Sequence, residues 1–74
     1  MPPLPVLSGK ETVKAFRHFG WEVARQSGSH LILVREGSMA TLSVPNHQEV
    51  AGGTLRALIR AAGITVEAFV ESLR

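Results

Sequence analysis

The apolar positions follow a helical period at both ends of the chain and an alternating period in the middle. Ser8, with Glu11 three residues later, has the spacing of a capping box and predicts a first helix over 9–19 that stops at Gly20. Gly53 opens a second helix, and Thr65 caps a short third one. The apolar residues expected on the inner faces of these helices are Val13, Phe16, Leu55, Leu58, Ile59, Ala62, Val66, Phe69, Val70 and Leu73.

Three strands are predicted between the first two helices, over 21–27, 30–36 and 39–45. The pairs Gly28-Ser29 and Gly37-Ser38 separate them and have the residue types of tight turns. Such short connections favour an antiparallel sheet in which consecutive strands are neighbours. The order helix, three-stranded antiparallel sheet, helix, short C-terminal helix defines an α+β fold.

The second strand is apolar on both of its faces. Leu31 and Leu33 alternate with Ile32 and Val34, so each pair faces one side of the sheet. An antiparallel sheet backed by helices normally leaves its other face in water. We therefore expect either a protein partner, bound against Leu31 and Leu33, or the N-terminal arm to cover the second face. That arm, residues 1–7, contains three prolines and is predicted to be extended.

The length of 74 residues, 45% of them apolar, predicts one domain over 1–74 with one core. There are no cysteines, which excludes disulfides and thiolate metal sites. The longest aliphatic run, 31–34, is too short to cross a bilayer, and no signal-peptide pattern is visible. We expect a cytoplasmic protein with no membrane segment.

The reactive side chains present in the sequence limit the kinds of reaction that the protein could catalyse. The chain has no Asp and no Tyr, and its six carboxylates are all Glu, none of them in an H-E-x-x-H or D-x-D pattern. Clustered carboxylates for a two-metal phosphodiesterase and the Asp of a Ser-His-Asp triad are therefore missing. Three histidines and eight Lys/Arg remain, a set that suits acid–base chemistry on an anionic substrate without metal or cofactor.

The basic residues are unevenly placed. Residues 1–62 carry seven Lys/Arg against four Glu, a net charge of +3, whereas residues 63–74 have a net charge of −1. A basic excess of this kind helps to attract a polyanion, although an ordinary solvated surface also explains it.

Among the histidines, His30 is the strongest candidate for function, because two small residues precede it at the start of a strand. The predicted strand order brings it towards His47, which follows the third strand; a backbone hydrogen bond in the loop would also explain His47. His18 lies near the end of the first predicted helix, where a favourable interaction with the helix dipole is a sufficient explanation for a histidine. The pair Gly53-Thr54 offers either an anion site at a helix N-terminus or an ordinary cap.

Four segments, in this order, resemble the HicA-type toxins, the small mRNA interferases of HicA–HicB toxin–antitoxin pairs. The resemblance covers roughly residues 8–73. The segments are Ser8-Gly9-Lys10-Glu11; Gly20-Trp21-Glu22 leading into Arg25-Gln26-Ser27-Gly28-Ser29-His30; Val44-Pro45-Asn46-His47; and Gly53-Thr54-Leu55-Arg56 through Arg60-Ala61-Ala62-Gly63.

This resemblance implies a fold like that of double-stranded-RNA-binding domains, with a sheet backed by helices. It implies a type II toxin that cleaves mRNA, a single-stranded RNA, with His30 as the catalytic residue, and a HicB-like antitoxin that blocks the site. The chemistry fits, because RNA carries its own nucleophile and the protein need only move protons and neutralise charge. The residues expected to bind the substrate are Ser29, Lys10, Arg25, His47, Thr54 and Arg56.

Two other functions stay open at this point. In a non-catalytic RNA-binding module of the same fold, His30 would only contact a phosphate or a 2′-hydroxyl. In a protein-interaction domain, the apolar face of the second strand would carry the function.

Overall fold

The computed structural model describes residues 3–74, so Met1 and Pro2 of the predicted arm lie outside the described part of the chain. The order of elements confirms the predicted α+β architecture, with a sheet backed by helices as in double-stranded-RNA-binding domains. The elements are α1 (Gly9–Arg17), β1 (Trp21–Ser27), β2 (His30–Arg35), β3 (Leu42–Pro45), α2 (Gly52–Ala61) and α3 (Val66–Glu71).

The capping box predicted for α1 is confirmed. The Ser8 hydroxyl accepts a hydrogen bond from the Glu11 amide at 3.1 Å, and Glu11 Oε1 accepts one from the Ser8 amide at 2.9 Å. These two bonds favour the charged carboxylate and lower the pKa of Glu11 from its ordinary value of 4.5. At the other end, Gly20 has a φ of +90°, a conformation that glycine adopts without strain, and the chain turns there into β1.

The third strand is shorter than predicted, beginning at Leu42 rather than at Met39. The Ser38 hydroxyl accepts a hydrogen bond from the Ala40 amide at 3.2 Å, and the Met39 side chain is fully exposed. Local bonds of this kind offer the backbone an alternative to the strand ladder, so the connection from β2 continues to Thr41.

Three other helix and strand ends differ from the prediction by one or two residues. Helix α1 ends at Arg17 instead of residue 19, β2 ends at Arg35 instead of residue 36, and α2 begins at Gly52 instead of Gly53. Helix and strand ends are the least sharply defined parts of an element.

The sheet is antiparallel, with β2 in the centre. In the ladder, Leu33 lies opposite Val23 of β1 and Leu42 of β3, while Ile32 lies opposite Arg25 and a serine of β3. The register shifts between Val23 and Arg25, which marks a β-bulge in β1. Side chains directly opposite each other share a face, so Leu33 and Leu42 point to the helices and Arg25 and Ile32 point away.

One hydrophobic cluster joins the sheet to all three helices. The Phe16 and Phe69 rings, with centroids 5.2 Å apart, connect α1 to α3. The inner faces predicted for α1 and α2 are confirmed, whereas Leu73 at the end of the chain is 36% exposed. The fully buried large side chains are Trp21, Phe16, Phe69, Leu33, Leu42, Leu55, Ile59 and Val44.

The assignment of faces on β2 is wrong. Leu33 is completely buried and Leu31 packs against the core, whereas Val34 on the other face is 40% exposed. Alternation divides the two faces but does not say which one the helices cover. The described part of the arm, residues 3–7, does not cover the exposed face either, because Leu7 belongs to the same core as Leu33 and its carbonyl accepts a hydrogen bond from the Val50 amide.

No helix within residues 3–74 has the length and hydrophobicity needed to span a membrane.

Candidate functional site

Two backbone hydrogen bonds join three separate segments at one end of the sheet. The Asn46 amide donates to the Ser29 carbonyl at 2.7 Å, and the Gly9 amide donates to the His47 carbonyl at 2.8 Å. The β1–β2 turn, the loop after β3 and the first turn of α1 therefore meet at this end. Each segment carries at least one residue that the sequence analysis selected.

Gly9 sits where only a glycine fits. A Cβ at this position would lie 2.8 Å from the Asn46 Cα and closer still to the Pro45 carbonyl oxygen. The missing side chain lets the end of β3 lie directly against the start of α1. Sequence reasoning did not single out Gly9 for this role, because the contact is between residues far apart in the chain.

His30 is the first residue of the central strand and is exposed. It lies in the ladder between Ser27 of β1 and Pro45 of β3. Alternation with the buried Leu33 puts its side chain on the face away from the helices. Gly28, in the turn before it, has a φ of +58° and nothing within 4 Å of where a Cβ would be, so the turn itself is uncrowded at this position.

Arg25 shares the face of His30. It lies opposite Ile32, two residues along β2 from His30, and is exposed. Diagonal neighbours of this kind are typically about 7–8 Å apart, within reach of a long side chain. Arg25 can therefore contact a phosphate that is bound beside His30.

His47 and Lys10 line a shallow depression of about 320 Å³ at the junction of α1 and the loop. Ser8, Asn46 and Gln48 complete its polar wall. The carbonyl of His47 accepts the Gly9 hydrogen bond, but its side chain forms no hydrogen bond or ion pair with the described residues. The His47 imidazole is therefore available to a ligand, as is the exposed Lys10 ammonium group.

Thr54 lies in the first turn of α2 and is exposed. The N-cap of α2 is Ala51, which provides no side-chain hydrogen bond, so the capping role considered for Gly53-Thr54 is not observed. The first backbone bond of this helix runs from the Leu55 amide to the Ala51 carbonyl. The earlier amides point out of the helix end, the usual geometry of such termini.

Arg56 lies elsewhere on α2. It lines a different depression, together with Ile59, Arg60, Ile64 and Val66, on the side of the helix that approaches α3. The structure thus brings His30, Ser29, His47 and Lys10 to one end of the sheet through connected backbone, and it does not bring Arg56 into the depression of Lys10 and His47.

Lys10 and Arg25 are the exposed cations among the residues assigned to this end. Within residues 3–74, no group of three or more histidines and carboxylates is arranged to hold a metal ion. Two carboxylates are close to the site in sequence: Glu11, which is engaged with Ser8 in the capping box, and the exposed Glu49, two residues after His47. The donor set therefore offers imidazoles and cations, the groups that bind phosphates.

Comparison with known families decides the assignment. A family model described as the HicA toxin of bacterial toxin–antitoxin systems matches residues 9–64. The chain belongs to the HicA toxin family. The match runs from the start of α1 past the end of α2 and includes every candidate site residue. No curated protein matches this HicA-family chain closely enough to be named as a relative.

Membership makes the chain a toxin of a toxin–antitoxin system and implies a HicB-type antitoxin as its partner. The resemblance drawn from the four sequence segments is confirmed.

Proposed function

We propose that this HicA-family toxin is an endoribonuclease that cleaves mRNA without a metal ion, with His30 as its acid–base group. The observation that carries the proposal is the exposed imidazole of His30 at the start of the central strand, at the end of the sheet where α1 and the His47 loop are hydrogen-bonded in place. Toxins of this family are of the ribonuclease type. Because the proposed substrate is mRNA, we also propose that the protein acts in the cytoplasm.

The reaction uses the nucleophile that RNA supplies. His30 accepts the proton of a 2′-hydroxyl as its oxygen attacks the adjacent phosphorus, and the bond from phosphorus to the 5′-oxygen breaks. The protonated imidazole then returns the proton to the leaving 5′-oxygen. The products are a 2′,3′-cyclic phosphate and a 5′-hydroxyl, so no water is consumed in this step.

The cations around this end of the sheet neutralise the negative charge of the phosphate. Arg25 shares the face of His30, and Lys10 lies beside His47 across the backbone junction. Both act on the charge that develops on the phosphate oxygens in the transition state. Ser29, His47 and Thr54 are assigned to binding the RNA strand as it crosses this end of the domain.

The alternative is a non-catalytic RNA-binding module, and one observation favours it. His30 forms no hydrogen bond with any described residue that would orient its ring, whereas an efficient catalytic base is normally held by a second group. In that case the same residues bind the RNA and cleave nothing.

Expression in a host without the antitoxin separates the two. The parent chain should stop growth and shorten mRNA, with new 5′-hydroxyl ends, while His30→Ala leaves growth and mRNA intact. The matched control is His18→Ala, which changes an exposed histidine at the C-cap of α1. Growth arrest by the His30→Ala variant, with full-length mRNA, would favour the binding module.

A further inference from the structure

A groove of about 410 Å³ runs between α1 and the sheet, apart from the face that carries His30. Its walls combine cations with aliphatic side chains. The residues that line it are Lys10, Val13, Lys14 and Arg17 from α1, Val23 from β1 and Leu31 from β2. We call it the cationic groove.

The cations of the groove have no carboxylate partners within residues 3–74. Lys10, Lys14 and Arg17 recur along one side of α1 over about 10 Å, and none of them forms an ion pair with the described residues. Glu11 is held by the capping box, and Glu22 lies opposite Val34, on the face of the sheet away from α1. The groove therefore presents an uncompensated positive charge to whatever binds it.

The floor of the groove is apolar. Val23 is 36% exposed, and Leu31 packs against the core with part of its side chain left accessible. Both belong to the helix-facing side of the sheet, and β1 is an edge strand whose other edge is unpaired in the described residues. Exposed aliphatic groups next to cations suit an amphipathic acidic segment better than a phosphate backbone, which offers no apolar surface for Val23.

We infer that the cationic groove is a docking site for an acidic, aliphatic segment of a partner protein. Carboxylates of the segment pair with Lys14 and Arg17, and an aliphatic side chain covers Val23. Lys14 and Arg17 are separated by a rise of about 4.5 Å along α1, so their long side chains can reach carboxylates on alternate residues of an extended chain, which are about 6.6 Å apart. The site is separate from His30 and does not depend on RNA cleavage.

Four synthetic octapeptides test this chemistry in a two-by-two design: alternating Glu-Leu, Lys-Leu, Glu-Ser and Lys-Ser, each with a fluorophore. At low salt the purified chain should bind the Glu-Leu peptide most tightly and lose affinity for it as salt is added. The double variant Lys14→Glu/Arg17→Glu should bind it at least about tenfold more weakly and should now prefer the Lys-Leu peptide. Val23→Ser should reduce the preference for Leu over Ser.

Two control variants test whether the peptide binds in the cationic groove rather than elsewhere on the domain. Arg60→Glu removes an exposed cation on α2 outside the groove and should bind the Glu-Leu peptide like the parent. His30→Ala should also bind it unchanged, whether or not RNA is cleaved. Circular dichroism and thermal unfolding establish that each variant is folded. Equal binding of all four peptides would overturn the inference. So would unchanged affinity of the folded Lys14→Glu/Arg17→Glu variant for the Glu-Leu peptide. If that variant kept its peptide affinity but lost affinity for RNA, the groove would be assigned to RNA.

Discussion

The amide of Gly9 and the carbonyl of His47 form a 2.8 Å hydrogen bond that ties the first turn of α1 to the loop after β3. A second bond, from Asn46 to Ser29, continues the connection to the turn before His30. The candidate site is therefore built on backbone rather than on side-chain pairs. Its geometry depends on a close approach at Gly9, where any side chain would meet the backbone of Pro45 and Asn46.

Gly9→Ala should both destabilise the domain and disturb the site. The new Cβ would collide with backbone atoms, which cannot swing away as the end of a side chain can, and overpacking of this kind costs about 1–3 kcal/mol. Urea unfolding measures the loss, and RNA cleavage should fall with it at temperatures where the variant is still folded.

Gly52→Ala is the matched control, because Gly52 is the first residue of α2 just as Gly9 is the first residue of α1. Nothing lies within 4 Å of where its Cβ would be, so the change should be neutral or stabilising by about 0.4–1 kcal/mol. Equal effects of the two substitutions would mean that the contact at Gly9 does not constrain the structure.

Local signals in the sequence predicted most of the fold. The pair Ser8 and Glu11 fixed the start of α1, and Thr65 the start of α3, because a cap depends only on residues within one turn. The bounds of β1 were predicted correctly between two glycine-containing turns. The start of β3 was missed, because a single hydroxyl at Ser38 competes with the strand ladder there.

The parts that failed depend on contacts between distant segments. Which face of β2 is buried follows from where the helices pack, and the alternation of Leu33 with Val34 is compatible with either answer. The role of Gly9 follows from its contact with the residues after β3. The substrate-binding role of Arg56 stays a prediction, and Arg56 and Lys10 line different depressions on the surface.

Substitutions on the two faces of β2 should have very different costs. Leu33→Ala removes a fully buried side chain between Val23 and Leu42 and should cost about 2–5 kcal/mol of unfolding free energy. Val34→Ala removes a side chain that is 40% exposed and should cost less than about 1 kcal/mol. Urea unfolding of both variants checks this, and the reverse order would mean that the helices cover the other face.

The capping box predicts a pH-dependent stability. The pKa of Glu11 is lowered by its hydrogen bonds with Ser8, so its contribution to stability is present above the ordinary value of 4.5 and is lost as the pH falls through the lower folded-state pKa. The difference in unfolding free energy between the parent and Glu11→Gln should therefore shrink on going from pH 7 to about pH 3. A double-mutant cycle with Ser8→Ala isolates the pair, and a difference that stays constant with pH would show that the charge of Glu11 does not matter.

Cleavage of RNA should not need a metal ion. The chain has no Asp or Cys, and no cluster of histidines and carboxylates within residues 3–74 is arranged for metal binding. The purified protein should cut a single-stranded RNA in excess chelator and leave the DNA of the same sequence intact, because DNA lacks the 2′-hydroxyl nucleophile. Loss of activity in chelator that magnesium restores would contradict the histidine mechanism.

His30→Ala should separate catalysis from folding and binding. The side chain is exposed at the first position of β2, so the thermal midpoint should change little. Cleavage should fall by at least about 10²-fold, the usual contribution of a positioned acid–base group, whereas RNA affinity should fall much less because Lys and Arg contacts to phosphate dominate it. His47→Ala should be milder in cleavage, since we assign His47 to binding the strand beside Lys10. RNA cleavage, RNA affinity and thermal melting are measured on both variants. Unchanged cleavage by His30→Ala would contradict the catalytic assignment of His30. A large drop in the melting temperature of this variant would show that the histidine has a structural role.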